Sequence, residues 1–105
     1  MSVVRKVKAF IHRGNYRSPK ERFFAKACIE LGMSFKYQPE KYQTPFGGYI
    51  PDFYLPRHDL YVEVYSGSYS FERAQAIGAF RRSHTLKVVR SQNRKEVIKW
   101  LLKTV

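Results

Sequence analysis

The chain has 105 residues, close to the commonest size of one protein domain, and a formal net charge of +12 from 20 basic and 8 acidic residues. This excess predicts a polyanion as partner, while a 16% share of aromatic residues excludes a disordered basic tail. No apolar run is long enough to span a membrane and no signal peptide is evident, so we expect an intracellular protein, cytoplasmic or nucleoid-associated, without a membrane partner.

The first 17 residues are basic and contain no acid. We expect an arm that binds phosphates, because neutralised phosphates dominate affinity for duplex DNA. A solvated arm without a partner is the alternative. Residues 18–105 are expected to form a single domain. The basic residues of the arm are Arg5, Lys6, Lys8, Arg13 and Arg17.

A strong helix start follows the arm. Ser18 is a suitable N-cap, Pro19 fits the first helical position, and Glu21 completes a capping box. The pattern predicts a helix over about 19–31, ended by Gly32. Its expected buried stripe contains Phe24, Ala27, Cys28 and Leu31.

Two weaker segments come next. Residues 34–38 read as a strand with Phe35 and Tyr37 on one face. Residues 40–48 read as a loop, which either contacts a nucleic acid backbone through Lys41 or is an ordinary connection.

Residues 48–67 predict a hairpin of two strands rich in aromatic and branched side chains, joined at 56–59. If Leu55 faces Leu60, then Asp52 lies across from Glu63, with Cβ atoms about 4.5–5.5 Å apart. Two carboxylates at that spacing repel. A divalent cation is one remedy, since Mg²⁺ takes one or two carboxylates plus waters and substrate phosphates. A raised pKa on one carboxyl is another, and a third interpretation is an exposed strand face carrying two unrelated acids.

The rest of the chain predicts a helix over about 70–82, a strand over 85–90 and an amphipathic helix over 93–103. A helix between two strands of one sheet implies a right-handed crossover and a parallel pair. The expected fold is therefore α/β, with a mixed sheet of about four strands flanked by helices in the order αβββαβα. The packed side of the middle helix is predicted to carry Phe71, Ala74, Ile77 and Gly78.

Pro51-Asp52, a hairpin and then Glu63-Val64-Tyr65 resemble the motif of the PD-(D/E)xK nuclease superfamily, the restriction-endonuclease-like and junction-resolvase-like group. That motif is Pro-Asp, a spacer, then Asp or Glu, any residue and Lys. Tyr65 stands where the motif has lysine. The order of elements also fits from about residue 18 to 105, so the resemblance implies a restriction-endonuclease-like fold for a single nuclease-like domain.

The resemblance implies a metal-dependent DNA endonuclease that selects nicked or branched DNA and acts as a homodimer. It places Mg²⁺ or Mn²⁺ on Asp52, Glu63 and the Val64 carbonyl. It also implies catalytic roles for a helical acid, Glu21, and for Gln75, which falls near a helical glutamine of some members. The alternatives are that Glu21 only caps its helix and that Gln75 is an ordinary helix-surface residue. Expected DNA contacts, besides the arm, are Lys41, Arg73, Arg81 and Arg82.

Tyr65 can donate a hydrogen bond but carries no positive charge at neutral pH. A cation from elsewhere can take the place of the lysine, and Lys87 and Arg73 are both candidates. The alternatives to an enzyme are a catalytically inactive nuclease fold that binds DNA or aids assembly, and a small basic structural protein bound to RNA.

Overall fold

The computed structural model describes residues 16–65, 67–90 and 93–105. Within these residues the protein is mixed α/β, with three α-helices, a four-stranded sheet and a two-stranded sheet. The helices are α1 (Pro19–Glu30), α2 (Phe71–Arg81) and α3 (Arg94–Thr104). The strands are β1 (Lys36–Tyr37), β2 (Tyr42–Thr44), β3 (Gly47–Tyr49), β4 (Phe53–Leu55), β5 (Leu60–Val64) and β6 (Leu86–Val89). The described residues divide into two compact units, one within 34–90 and one of the flanking segments 16–33 and 93–105.

In the flanking unit, α1 begins as predicted. The Ser18 side chain accepts a hydrogen bond from the Glu21 backbone N–H at 3.2 Å, and Pro19 occupies the first turn. The Glu21 carboxylate accepts from the Arg17 N–H at 2.9 Å. A capping box would use the N–H of the N-cap residue, Ser18, so the predicted box is displaced by one residue. Gly32 follows the helix with a φ of 69°, which glycine adopts without strain.

The same unit contains α3, which begins at the N-cap Asn93. Phe24 of α1 meets Trp100 edge to face, with ring centroids 6.3 Å apart, and Arg94 pairs with Glu30 at 3.2 Å. No helix among the described residues is both long and apolar enough to cross a membrane. Most of the predicted basic arm, including Arg5, Lys6, Lys8 and Arg13, lies outside the described residues.

In the unit of residues 34–90, the four-stranded sheet has the order β1-β4-β5-β6. Neighbouring strands are antiparallel except β5 and β6, which are parallel and joined through α2, as the predicted crossover requires. The predicted register of the central hairpin is confirmed, because Leu55 pairs with Leu60. This pairing ends at Phe53 and Val62, one residue before Asp52.

The predicted loop at 40–48 is wrong, because β2 and β3 form a second antiparallel hairpin there. Tyr42 pairs with Tyr49, and both rings pack against Phe80 of α2 at centroid distances of 5.0 and 5.2 Å. Tyr49 therefore ends β3 and does not belong to the first strand of the predicted 48–67 hairpin, which is β4 and begins at Phe53. Five strands, not three, precede α2.

The packed side of α2 differs from the prediction. Phe71, Ala74 and Gly78 are exposed, whereas the buried stripe consists of Ala76, Ile77 and Phe80. The β2–β3 hairpin explains the difference, since its tyrosines cover Phe80 and select that side of the helix. Arg73 lies three and four residues before Ala76 and Ile77, so it is on the stripe that faces the sheet.

Candidate active site

Asp52 lies at the point where β4 leaves its partner strand. Its own backbone carbonyl accepts from the Gln38 N–H at 2.8 Å. Its Oδ2 accepts from the Val64 N–H at 2.7 Å, so the side chain replaces a backbone partner for β5. The preceding Pro51 has no N–H to donate, which suits a residue where regular pairing stops. The carboxylate is thus fixed beside β5 although Asp52 is outside the strand.

Glu63 is a buried acid on β5, with 2% of its side chain exposed. Its Oε1 accepts from the Tyr49 hydroxyl at 2.5 Å, and its Oε2 accepts from Nη2 of Arg73 at 2.7 Å. Both oxygens are therefore satisfied by protein groups, as a buried carboxylate requires.

Arg73 joins the two acids. Its Nη2 is 2.7 Å from Oε2 of Glu63 and 4.0 Å from Oδ1 of Asp52. Burial alone lowers the pKa of the guanidinium, but the charge and hydrogen bond of Glu63 and the charge of Asp52 outweigh it and raise that pKa. The acids share a partner and are both buried, so they are not two unrelated residues on an exposed face. The positive charge between them is the Arg73 guanidinium.

No protein-family model, curated protein or solved structure matches this chain.

Two tyrosines border the acids. Tyr49 carries the Arg73 guanidinium over its ring, 5.3 Å from the centroid, and burial followed by the charge of Glu63 raises the pKa of its hydroxyl. The Tyr69 hydroxyl is buried and has no hydrogen-bond partner among the described residues. Burial, then the charges of Glu63 and Asp52, raise the pKa of Tyr69 to about 12, while Arg73 and Arg90 lower it. Both phenols therefore keep their protons at neutral pH.

Tyr65, at the position of the motif lysine, contacts groups beyond the end of β5. Its hydroxyl donates to the Gly67 carbonyl at 2.7 Å, and its ring meets that of Tyr69 edge to face at 5.1 Å. The guanidinium carbon of Arg90 lies 4.4 Å from the centroid of the Tyr65 ring. This distance is within the range of a cation–π contact.

The other predicted site residues are placed as follows. Val64 gives its N–H to Asp52, and the ligand role of its carbonyl stays a prediction. Gln75 is half-buried on α2, beside the stripe that carries Arg73, and its catalytic role is untested. Glu21 belongs to the flanking unit, where it binds the Arg17 N–H, and its part in a metal site also stays a prediction. The exposed basic residues among the described DNA-contact candidates are Arg17, Lys41, Arg81 and Arg82.

Sequence reasoning missed Tyr49, Tyr69 and Arg90 as neighbours of the site. The helical spacing from Arg73 to Ala76 and Ile77 was a usable signal for an arginine facing the sheet. Tyr49 gave no such signal, because its place depends on the short β2–β3 hairpin. Arg90 could be found only from the register of β6 against β5, which the sequence does not specify.

Proposed function

We propose that this protein is a metal-dependent DNA endonuclease with a restriction-endonuclease-like fold. The observation that supports the proposal is the convergence of Asp52 Oδ1 and Glu63 Oε2 on one cationic nitrogen of Arg73. The opposite oxygen of each acid is held by a protein donor, the Val64 N–H or the Tyr49 hydroxyl. One oxygen of each carboxylate is thus directed toward a common position that favours positive charge.

The donor set fits a hard divalent ion such as Mg²⁺ or Mn²⁺. Carboxylate oxygens are the ligands that these ions prefer, and Mg²⁺ needs only one or two of them besides waters and phosphates. Within the described residues no cluster of three or more His, Cys, Asp or Glu side chains is found. The ligands that we propose for the ion are the carboxylates of Asp52 and Glu63, with the Val64 carbonyl. A bound ion would supply a water of lowered pKa and neutralise charge on the scissile phosphate.

Arg73 uses the same two oxygens, so an ion and this arginine compete for them. The Arg73 side chain is 38% exposed, which leaves it a route toward solvent and an incoming phosphate. A guanidinium binds phosphate through two parallel hydrogen bonds, as it does a carboxylate. Arg73 is therefore suited to hold the acids apart from water in the free protein and to bind DNA in the complex.

The DNA partner is supported by charge. The chain carries +12 overall, and its exposed Lys41, Arg81 and Arg82 add positive surface to the unit that contains the acids. Contacts to phosphates fix position and orientation without reading sequence. We therefore propose selection of DNA by structure, with nicked or branched duplexes as substrates. A homodimer as the acting form is proposed on the resemblance alone.

A catalytically inactive DNA-binding or assembly protein is the second candidate. It is favoured by Arg73, which already compensates both carboxylates, and by Tyr65 at the position of the motif lysine. Under this alternative the acids and Arg73 form a structural ion pair and the surface charge alone carries the function.

The two candidates are separated by incubating the protein with supercoiled, linear and branched DNA in Mg²⁺ or Mn²⁺. The endonuclease predicts cutting that is lost in Asp52→Asn and retained in Asp59→Asn, a matched change at an exposed aspartate in the hairpin turn. Binding without cutting by the unaltered protein supports the inactive nuclease fold. A preference for RNA over every DNA contradicts both and supports the RNA-bound structural protein.

A further inference from the structure

The residue at the position of the motif lysine, Tyr65, has no positive charge to offer a phosphate. The candidates for this charge in neighbouring elements of the same unit are Arg73 on α2, Lys87 on β6 and Arg90 directly after β6. Their contacts distinguish them.

Lys87 lies on the wrong face of the sheet. In the parallel pairing of β5 with β6, Lys87 is the partner of Val62, and Val88 is the partner of Glu63. Side chains of paired residues lie on the same face, and successive residues alternate between faces. Lys87 therefore shares the face of Val62, opposite to that of Glu63.

Arg73 is on the right face, but its charge is already used. Its Nη2 is 2.7 Å from Glu63 and 4.0 Å from Asp52, and both acids are buried. Arg73 can bind a phosphate only after it leaves these acids, so its guanidinium is not held open to an anion in the free protein.

Arg90 meets two requirements that the other candidates do not meet together: it lies beside Tyr65, and its charge is available to a phosphate. The Tyr65 N–H donates to the Val89 carbonyl at 2.9 Å, which places the residue after Val89 beside Tyr65. The Arg90 guanidinium then lies over the Tyr65 ring at 4.4 Å. Arg90 is exposed, and no ion pair to it is found in the part of the chain that the structure describes. A cation–π contact holds a guanidinium over a ring, and the N–H groups of an exposed guanidinium can still bind an anion.

Arg90 also lies on the side of the sheet that carries Glu63. Tyr65 follows Glu63 by two residues, so the two side chains share one face, and the Arg90 guanidinium lies over the Tyr65 ring. The Tyr69 ring touches that of Tyr65, and Glu63 and Arg90 act on the pKa of its hydroxyl in opposite directions.

We propose that Arg90, held on the ring of Tyr65, binds the scissile phosphate and supplies the positive charge that a lysine supplies in the resembled nucleases. The inference rests on the proposed endonuclease function and names a further residue of that site. An arginine stays protonated, so Arg90 stabilises charge that develops on the phosphate and does not accept a proton from water. Tyr65 is a positioning residue that acts through Arg90.

The test compares single-turnover cleavage and DNA binding for a set of variants. Arg90→Ala is expected to slow cleavage by about 10²–10³-fold, the usual effect of removing one group that stabilises developing negative charge. The matched control is Arg57→Ala, which removes the same charge from the exposed turn at the other end of β5 and should cut at the parental rate. Tyr65→Phe keeps the ring and should keep most activity, whereas Tyr65→Leu removes the platform and should resemble Arg90→Ala.

The decisive variant is the exchange Tyr65→Lys with Arg90→Ala. It returns a cation to the motif position, so cleavage should recover relative to Arg90→Ala while DNA affinity changes little. A merely structural role for Arg90 predicts no such recovery, and thermal melting of each variant separates lost folding from lost chemistry.

The outcomes distinguish this inference from the function beneath it. If the unaltered protein cuts and Arg90→Ala cuts at the same rate, the inference is overturned and the proposed function stands. If the exchange fails to recover cleavage in a folded protein, the inference is likewise overturned. If the unaltered protein cuts no DNA with either metal ion, the proposed function is wrong, and the inference that rests on it is wrong as well.

Discussion

Replacing Arg73 with methionine removes the positive charge from the carboxylate pair and keeps an apolar chain of similar reach. Loss of one partner from a fully buried ion pair costs about 3–5 kcal/mol, and exposed pairs contribute about 0–1 kcal/mol. Arg73 is 38% exposed and Glu63 2%, which places this pair between those limits. We expect the free energy of unfolding to fall by about 2 kcal/mol.

A loss of that size corresponds to a melting temperature lower by about 8–16 °C for a domain near 100 residues. Thermal melting without metal measures it directly. Without Arg73, two like charges in a buried site raise the carboxyl pKa in the folded variant above its unfolded value. The folded variant then binds more protons, so its deficit should be largest near neutral pH and shrink as the pH falls through that raised pKa.

Divalent ions should act in the opposite sense on the same variant. Because Arg73 no longer competes for Asp52 Oδ1 and Glu63 Oε2, added Mg²⁺ or Mn²⁺ should raise the melting temperature of Arg73→Met more than that of the parent. Arg81→Met, on the exposed end of α2, is the control and should change neither value appreciably. An Arg73→Met protein that melts like the parent and ignores both ions would refute the coupling of the three residues.

Two further predictions concern the net positive charge of the chain and the hydrogen bond from Tyr49 to Glu63. DNA affinity should fall steeply with salt, with a log–log slope of about −5 if roughly six phosphates are neutralised, and a slope near zero in filter binding would remove the phosphate-driven model. Tyr49→Phe should lower the free energy of unfolding by about 1.5–3 kcal/mol, the contribution of a hydrogen bond to a charged group, while leaving the ring packed on Phe80. Urea denaturation measures that change, and an unaltered midpoint would contradict the bond from Tyr49 to Glu63.

Local signals in the sequence predicted much of the fold. Ser18, Pro19 and Gly32 marked the ends of α1 because capping depends on residues close in the chain. The Leu55–Leu60 register followed from a short turn, for the same reason. The parallel pairing of β5 with β6 followed from chain connectivity through α2.

The missed features depend on contacts between segments distant in the chain. The strands β2 and β3 have three residues each, too few to show a clear alternation, and they are stabilised by rings that meet Phe80 on α2. Because the hairpin was not predicted, the large apolar side chain of Phe71 was assigned to the packed side of α2. In the structure Phe71 is 72% exposed. The same error in helical phase affected Arg73, which was predicted as a DNA contact and as a candidate substitute for the motif lysine, but not as the partner of both acids.

Binding of Mn²⁺, followed by electron paramagnetic resonance, tests whether Asp52 and Glu63 hold a metal ion that cleavage requires. We expect bound Mn²⁺ in the unaltered protein, none at this site in Asp52→Asn, and parallel loss of DNA cleavage, with Asp59→Asn as the matched control. Cleavage that persists in excess chelator, or an Asp52→Asn protein that binds Mn²⁺ and cuts DNA as the parent does, would exclude this metal site.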